Sequence, residues 1–195
     1  KNIKKVRRGS TLYVLMVAII AVGVILFAPE VIGILGGRKY MSSVYLIPGF
    51  VLGIFFQAAA TLFTIILTYN KSVSKISIAA GLVAVGSIVA KVLCVSKMGI
   101  VILSIVNAIA FAVLFFVYYY LVRQVGFSQY IDMKFCMMIS CIVLLGAVGS
   151  TLLYGNTLLR YGVIGVLCIA MGIVMILNKD KIKEIVKTFS KKKAK

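Results

Sequence analysis

Residues 44–69 read VYLIPGFVLGIFFQAAATLFTIILTY, a run with no charged side chain and a single amide, Gln57, near its middle. A helix rises about 1.5 Å per residue, so roughly 20 apolar residues cross the ~30 Å hydrocarbon core of a bilayer. This run is more than long enough. Five others of similar character occupy 11–28, 76–95, 99–122, 135–153 and 158–177. They are too long and too evenly apolar for the alternating, roughly ten-residue strands of a membrane barrel. A backbone in lipid must also satisfy its own hydrogen bonds, which leaves helix. The expected fold is all-α: a polytopic membrane bundle of six transmembrane helices, preceded by a basic segment, 1–10, and followed by a basic tail, 178–195.

Composition agrees. Hydrophobic residues make up 63% of the 195-residue chain and charged residues 13%, with a mean hydropathy of +1.14. A soluble exterior needs far more charge than that. Histidine is absent, and the four acids, Glu30, Asp132, Asp180 and Glu184, are scattered. Metal hydrolysis, carboxylate-pair chemistry and Ser/His/Asp catalysis therefore lack their usual parts, so neither an enzyme nor a metal or cofactor is expected. Cys94, Cys136, Cys141 and Cys168 all lie within apolar runs, at spacings that fit neither a disulfide framework nor a metal site.

The net charge of +18 flanks the apolar runs instead of forming a basic domain, so anionic membrane lipid is its expected partner and nucleic acid is not. Seventeen of the 22 Lys and Arg fall on one side of the six-span layout: Lys1 to Arg8, Lys71, Lys75, Arg123, Lys134 and the eight lysines after the last run. Arg38, Lys39, Lys97 and Arg160 fall on the other, and Lys91 lies within a run. Positive residues favour the cytoplasmic side, which puts both termini there. The two ends carry this inference, because the internal loops alone balance. In the tail, Ile182, Ile185, Val186 and Phe189 recur at helical spacing among lysines. This fits an amphipathic helix on the inner leaflet or a plain stop-transfer anchor. The Tyr154-Gly155-Asn156-Thr157 turn should make the last two helices antiparallel neighbours. Because the chain opens on Lys1 within a basic stretch, it is expected to be a piece of a longer protein.

Two groups of residues stand out. In Phe27-Ala28-Pro29-Glu30-Val31-Ile32-Gly33-Ile34-Leu35-Gly36-Gly37, proline suits a helix's first turn and is excluded from its interior. Glu30 then sits near a helix amino end, where the dipole favours it. Gly36-Gly37 supplies a left-handed stop, and Tyr40 is an aromatic anchor at the outer interface. The other group is polar and intramembrane. Lys91 lies five residues before Ser96, about 7 Å deep by helical rise. It could snorkel to the interface, pair with Glu30, or line a cavity and meet cargo. Gln57 and Asn107 could bond neighbouring helices or contact cargo.

The stretch from Phe27 to Gly99 resembles the carboxyl-terminal half of bacterial polysaccharide-biosynthesis flippases, the O-antigen and capsule transporters of the multidrug/oligosaccharidyl-lipid/polysaccharide exporter superfamily. The matching residues are Ala28-Pro29-Glu30, Leu35-Gly36-Gly37 and Tyr40, then Ile47-Pro48, Tyr69-Asn70-Lys71 and Lys97-Met98-Gly99. Tyr118 to Arg123 and Asp132-Met133-Lys134 resemble that family's link to its last two spans. Ser96 stands where the family has proline, Ser87 and Lys91 where asparagine is common, and Val101-Ile102 where it has small residues. The resemblance implies the second half of a two-bundle, alternating-access transporter in the bacterial cytoplasmic membrane, completed by an amino-terminal bundle. The implied cargo is an undecaprenyl-diphosphate-linked oligosaccharide, moved from inner to outer leaflet for cell-surface polysaccharide biosynthesis. Lys91, Gln57 and Asn107 are the candidate substrate-binding residues. A multidrug or cation extruder of the same superfamily is the alternative, though cationic cargo calls for a deep acid that these runs lack. An integral-membrane glycan polymerase or acyltransferase would need larger outer loops than the one from Pro29 to Ser43.

Overall fold

The computed structural model describes residues 2–127, 130–155, 159, 161–163 and 165. Among them the chain is helical, with no strand. Six α-helices run in order: α1 (Asn2–Leu26), α2 (Ala28–Leu35), α3 (Ile47–Tyr69), α4 (Val73–Met98), α5 (Ile102–Gln124) and α6 (Met133–Leu153). A 3₁₀ segment, Arg38–Leu46, leads into α3. Among the described residues five stretches are long and apolar enough to span a bilayer: Ile3–Leu26, Lys39–Tyr69, Val73–Ser96, Ile102–Gln124 and Met133–Leu153. The protein is a multi-pass membrane protein. The expected sixth span, 158–177, lies outside the described residues except for Leu159, Tyr161, Gly162, Val163 and Gly165, and the tail, 178–195, lies wholly outside them. Chain contacts separate 1–152 from 153–195, and of the second unit Leu153, the Tyr154-Gly155 turn and those few helical residues are described.

The ends of the helices follow local chemistry. Residues 2–10 of the basic segment belong to α1, because Lys and Arg are good helix formers and nothing there breaks the backbone ladder. Pro29 cannot donate an amide, and the helix breaks at Phe27, with α2 restarting from Ala28. Of the two glycines after α2, Gly37 takes the left-handed conformation, at φ 67°, while Gly36 stays right-handed at φ −107°. Tyr40 folds back over Gly36: a Cβ there would sit 3.1 Å from Tyr40 Cβ. Pro48 occupies the first turn of α3, which begins at Ile47, three residues later than the apolar run. The α3–α4 reversal is tight. Ser72 N–H donates to Leu67 O at 3.0 Å and Lys71 N–H to Thr68 O at 3.0 Å, with Lys71 itself left-handed at φ 53°. Gly99, at φ 77°, turns the chain from α4 towards α5.

Helix α3 is the centre of the unit. It packs most extensively on α5 and also on α1, while α4 leans on α5 and leaves most of its circumference facing outward. The α3–α5 seam is tied by aromatic rings: Phe63 lies 5.1 Å from Phe115, and Phe56 lies 5.9 Å from it on the other side. Residues of α1 and α6, including Val14, Ala18, Ile139 and Val143, join the same core. At the lysine-rich end, the Arg7 guanidinium donates to the Asp132 carboxylate, joining the start of α1 to the start of α6. Asp132 also receives the Phe135 N–H at 3.5 Å and so caps α6.

That ion pair carries a pH dependence. Asp132 lies outside the span, and chiefly the hydrogen bond from Arg7 holds its carboxyl below the ordinary carboxylate range. A carboxyl whose folded pKa is depressed adds stability above its unfolded value and loses it as pH falls through the folded one. Thermal melts of the detergent-solubilised protein from pH 7 down to 3 should show wild type losing more than Asp132→Asn, with the difference opening below about pH 4. Parallel melting curves for the two proteins would remove the tie from the stability of the fold.

Candidate functional site

Three helices each turn one stripe towards a common space. From α3 come Gln57, Thr61 and Thr64; from α4, Ala80, Ala84, Ser87 and Lys91; from α5, Asn107, Phe111, Leu114 and Tyr118. The positions within each stripe recur at three- and four-residue steps, which places them on one helix face. The cavity so enclosed has a volume of about 440 Å³, within the range of small-molecule sites. It lies inside the span region, beside the α3–α5 aromatic seam. All three residues singled out in the sequence, Gln57, Lys91 and Asn107, line it.

Lys91 is half-buried, and its ammonium donates to Asn107 Oδ1 at 3.1 Å, from α4 across to α5. The structure places this lysine in the lining of the cavity. Asn107 is an interhelical bonder and a cavity residue together. Its amide also lies against α3, since a Cβ on Gly53 would come within 2.8 Å of Nδ2. Gln57 opens to the cavity, and among the described residues its side-chain amide makes no hydrogen bond. An amide at mid-span is costly in bare hydrocarbon, so Gln57 calls for a polar group from water, a ligand or another helix.

The hydroxyls of the cavity share one arrangement. Thr61 Oγ1 donates to Gln57 O at 3.1 Å, Thr64 Oγ1 to Thr61 O at 2.8 Å, and Ser87 Oγ to Ala84 O at 2.8 Å. At the far end Tyr118 donates to Ile76 O at 3.3 Å, linking α5 to the start of α4. No carboxylate lines the cavity among the described residues, so Lys91 is its one formal charge there. A second groove of about 350 Å³ lies along the α4–α5 seam; it shares Val83, Ser87 and Ala110 with the cavity and is otherwise apolar.

Pro29, Glu30, Gly36, Gly37 and Tyr40 stand apart from this site: none lines the cavity. They build the α1–α2 break and the turn into the 3₁₀ segment.

Sequence reading missed the feature that brings α3 and α5 together, the Gly49-x-x-x-Gly53 pair. A Cβ on Gly49 would lie 2.6 Å from Ser104 Oγ and 2.8 Å from Ser104 carbonyl carbon. On α5 the facing residues Ser104 and Ala108 are also small and buried. This is the small-x-x-x-small pattern of close helix crossings in membranes. The motif was legible in the sequence, but glycine is frequent enough in membrane helices that its partner was not. Thr61, Thr64 and Tyr118 were missed as cavity residues because their faces depend on which helices pack.

No protein-family model, curated protein or solved structure matches this chain.

Proposed function

We propose that the chain is part of a transporter that moves lipid-linked oligosaccharide, as undecaprenyl diphosphate, from the inner to the outer leaflet of a bacterial cytoplasmic membrane. The observation that supports it best is the intramembrane cavity holding a cation among amides and hydroxyls, with no acid. That lining suits a phosphate-bearing, hydroxyl-rich cargo, because a lysine ammonium strengthens hydrogen bonds to phosphate oxygens and sugar hydroxyls exchange bonds readily with amides. A cationic drug would meet an unneutralised positive charge there. The motifs shared with polysaccharide-export flippases add to the reading. No bond is broken in such transport, and the cargo's lipid tail stays in the bilayer while the polar head crosses. An amino-terminal bundle completes the pathway, and the basic end residues rest on anionic lipid.

Deleting the gene in its native host is the direct test. Surface polysaccharide should be lost while lipid-linked intermediates build up at the inner leaflet. Intact surface polymer, or a defect confined to ethidium efflux, would overturn the assignment.

A further inference from the structure

Each cavity hydroxyl bonds a backbone carbonyl, and a carbonyl can only accept. The hydroxyl protons of Thr61, Thr64, Ser87 and Tyr118 are therefore already used within the protein. What these side chains present to the cavity is lone pairs. The Lys91–Asn107 pair is the reverse case. Asn107 Oδ1 receives the ammonium at 3.1 Å, so its amide N–H groups and the remaining ammonium protons are what that end offers. The cavity thus carries donors and positive charge near one membrane surface and acceptors along its middle. Gln57, whose amide has both kinds of group, lies among the acceptors.

We propose that the cavity is a divided site. Lys91 and Asn107 hold a phosphate group of the cargo, and the oxygens of Thr61, Thr64 and Ser87 accept hydrogen bonds from hydroxyls of the attached glycosyl unit. This rests on the transporter reading above and specifies how that site tells its cargo's two parts apart. The oxygens of a diphosphate linking lipid to sugar carry no proton at neutral pH and can only accept, so they match the donor end and are repelled from the lone pairs of the middle. Sugar hydroxyls can both donate and accept, so they match the lone pairs of Thr61, Thr64 and Ser87 and can also receive the Gln57 amide. Asn107 is a positioning residue as well: by accepting from the ammonium it holds Lys91 inward against its tendency to reach the interface.

Binding by the whole protein in lipid nanodiscs tests both halves, read by native mass spectrometry. The probes are farnesyl diphosphate, the same lipid carrying one N-acetylglucosamine on the diphosphate, farnesol and inorganic phosphate. Lys91→Gln should weaken both diphosphate lipids by roughly ten- to a hundredfold, the loss of a charge-assisted bond. Lys91→Arg should recover most of it. Lys91→Met, which keeps the apolar stem, serves if Lys91→Gln does not elute as a monodisperse protein. Thr61→Val combined with Thr64→Val keeps shape and should weaken the sugar-bearing lipid alone, by about tenfold. Unchanged diphosphate binding in the Lys91 variants would overturn the first half. Equal weakening of both lipids by the threonine variants would overturn the second. Farnesol binding as tightly as its diphosphate overturns the proposal entirely, and inorganic phosphate binding as tightly as the sugar-bearing lipid assigns the site to free phosphate and overturns the glycosyl half. Failure of the transporter reading looks different: the binding pattern stands while gene deletion leaves surface polysaccharide intact.

Discussion

Gly49→Ala should destabilise the protein by roughly 1–3 kcal/mol and lower its abundance in the membrane, although it adds only one methyl group. The new Cβ would lie 2.8 Å from the carbonyl carbon of Ser104 as well as 2.6 Å from its Oγ. A side-chain tip can swing away, but backbone cannot, so relief requires α3 and α5 to separate. That separation loosens the Phe56–Phe115–Phe63 contacts, which depend on the same crossing. Ser104→Gly should restore only part of the loss, since it removes the hydroxyl and Cβ and leaves the carbonyl carbon. Gly81→Ala is the control: nothing lies within 4 Å of its Cβ, and alanine favours helix, so it should be neutral or slightly stabilising. Thermal melts in detergent and membrane abundance read all three. If Gly49→Ala and Gly81→Ala behave alike, the close crossing does not hold the bundle. Gly53→Ala differs in kind, because it presses on the movable Asn107 amide at 2.8 Å and so disturbs the Lys91 bond more than the fold.

Lys91→Ala should reduce surface polysaccharide by about tenfold or more at normal protein abundance, with lipid-linked intermediates accumulating. A charge-assisted hydrogen bond contributes about 1.5–3 kcal/mol, and each 1.4 kcal/mol is about a factor of ten. The fold has little reason to suffer. Lys91 is half-buried, its one hydrogen bond among the described residues is to Asn107, and removing an ammonium from a span eases a desolvation cost. Lys91→Arg keeps the charge and should retain much of the export. Asn107→Leu is predicted to fall between the two, because the ammonium remains but is no longer held inward. Quantifying surface polymer beside protein level by immunoblot separates these outcomes. Normal polymer at normal abundance for Lys91→Ala would take the lysine out of the cargo path.

The amino-acid sequence by itself determined that this protein is helical and lies in a membrane. Uncharged runs such as 44–69 and 102–121 admit no other state, because lipid offers the backbone no hydrogen bonds. It also marked Gln57, Lys91 and Asn107, since polar groups within such runs are conspicuous against their neighbours. Only the tertiary structure decided which helices meet and what those three side chains face. A soluble helix advertises its buried side by an apolar stripe, but in a bilayer both the lipid side and the packed side are apolar, so the pattern that would assign faces is lost. Contact is settled by shape instead: Gly49 and Gly53 admit Ser104 and Ala108, the aromatic rings lock beside them, and Thr61, Thr64, Ser87 and Tyr118 are carried into one cavity with Lys91.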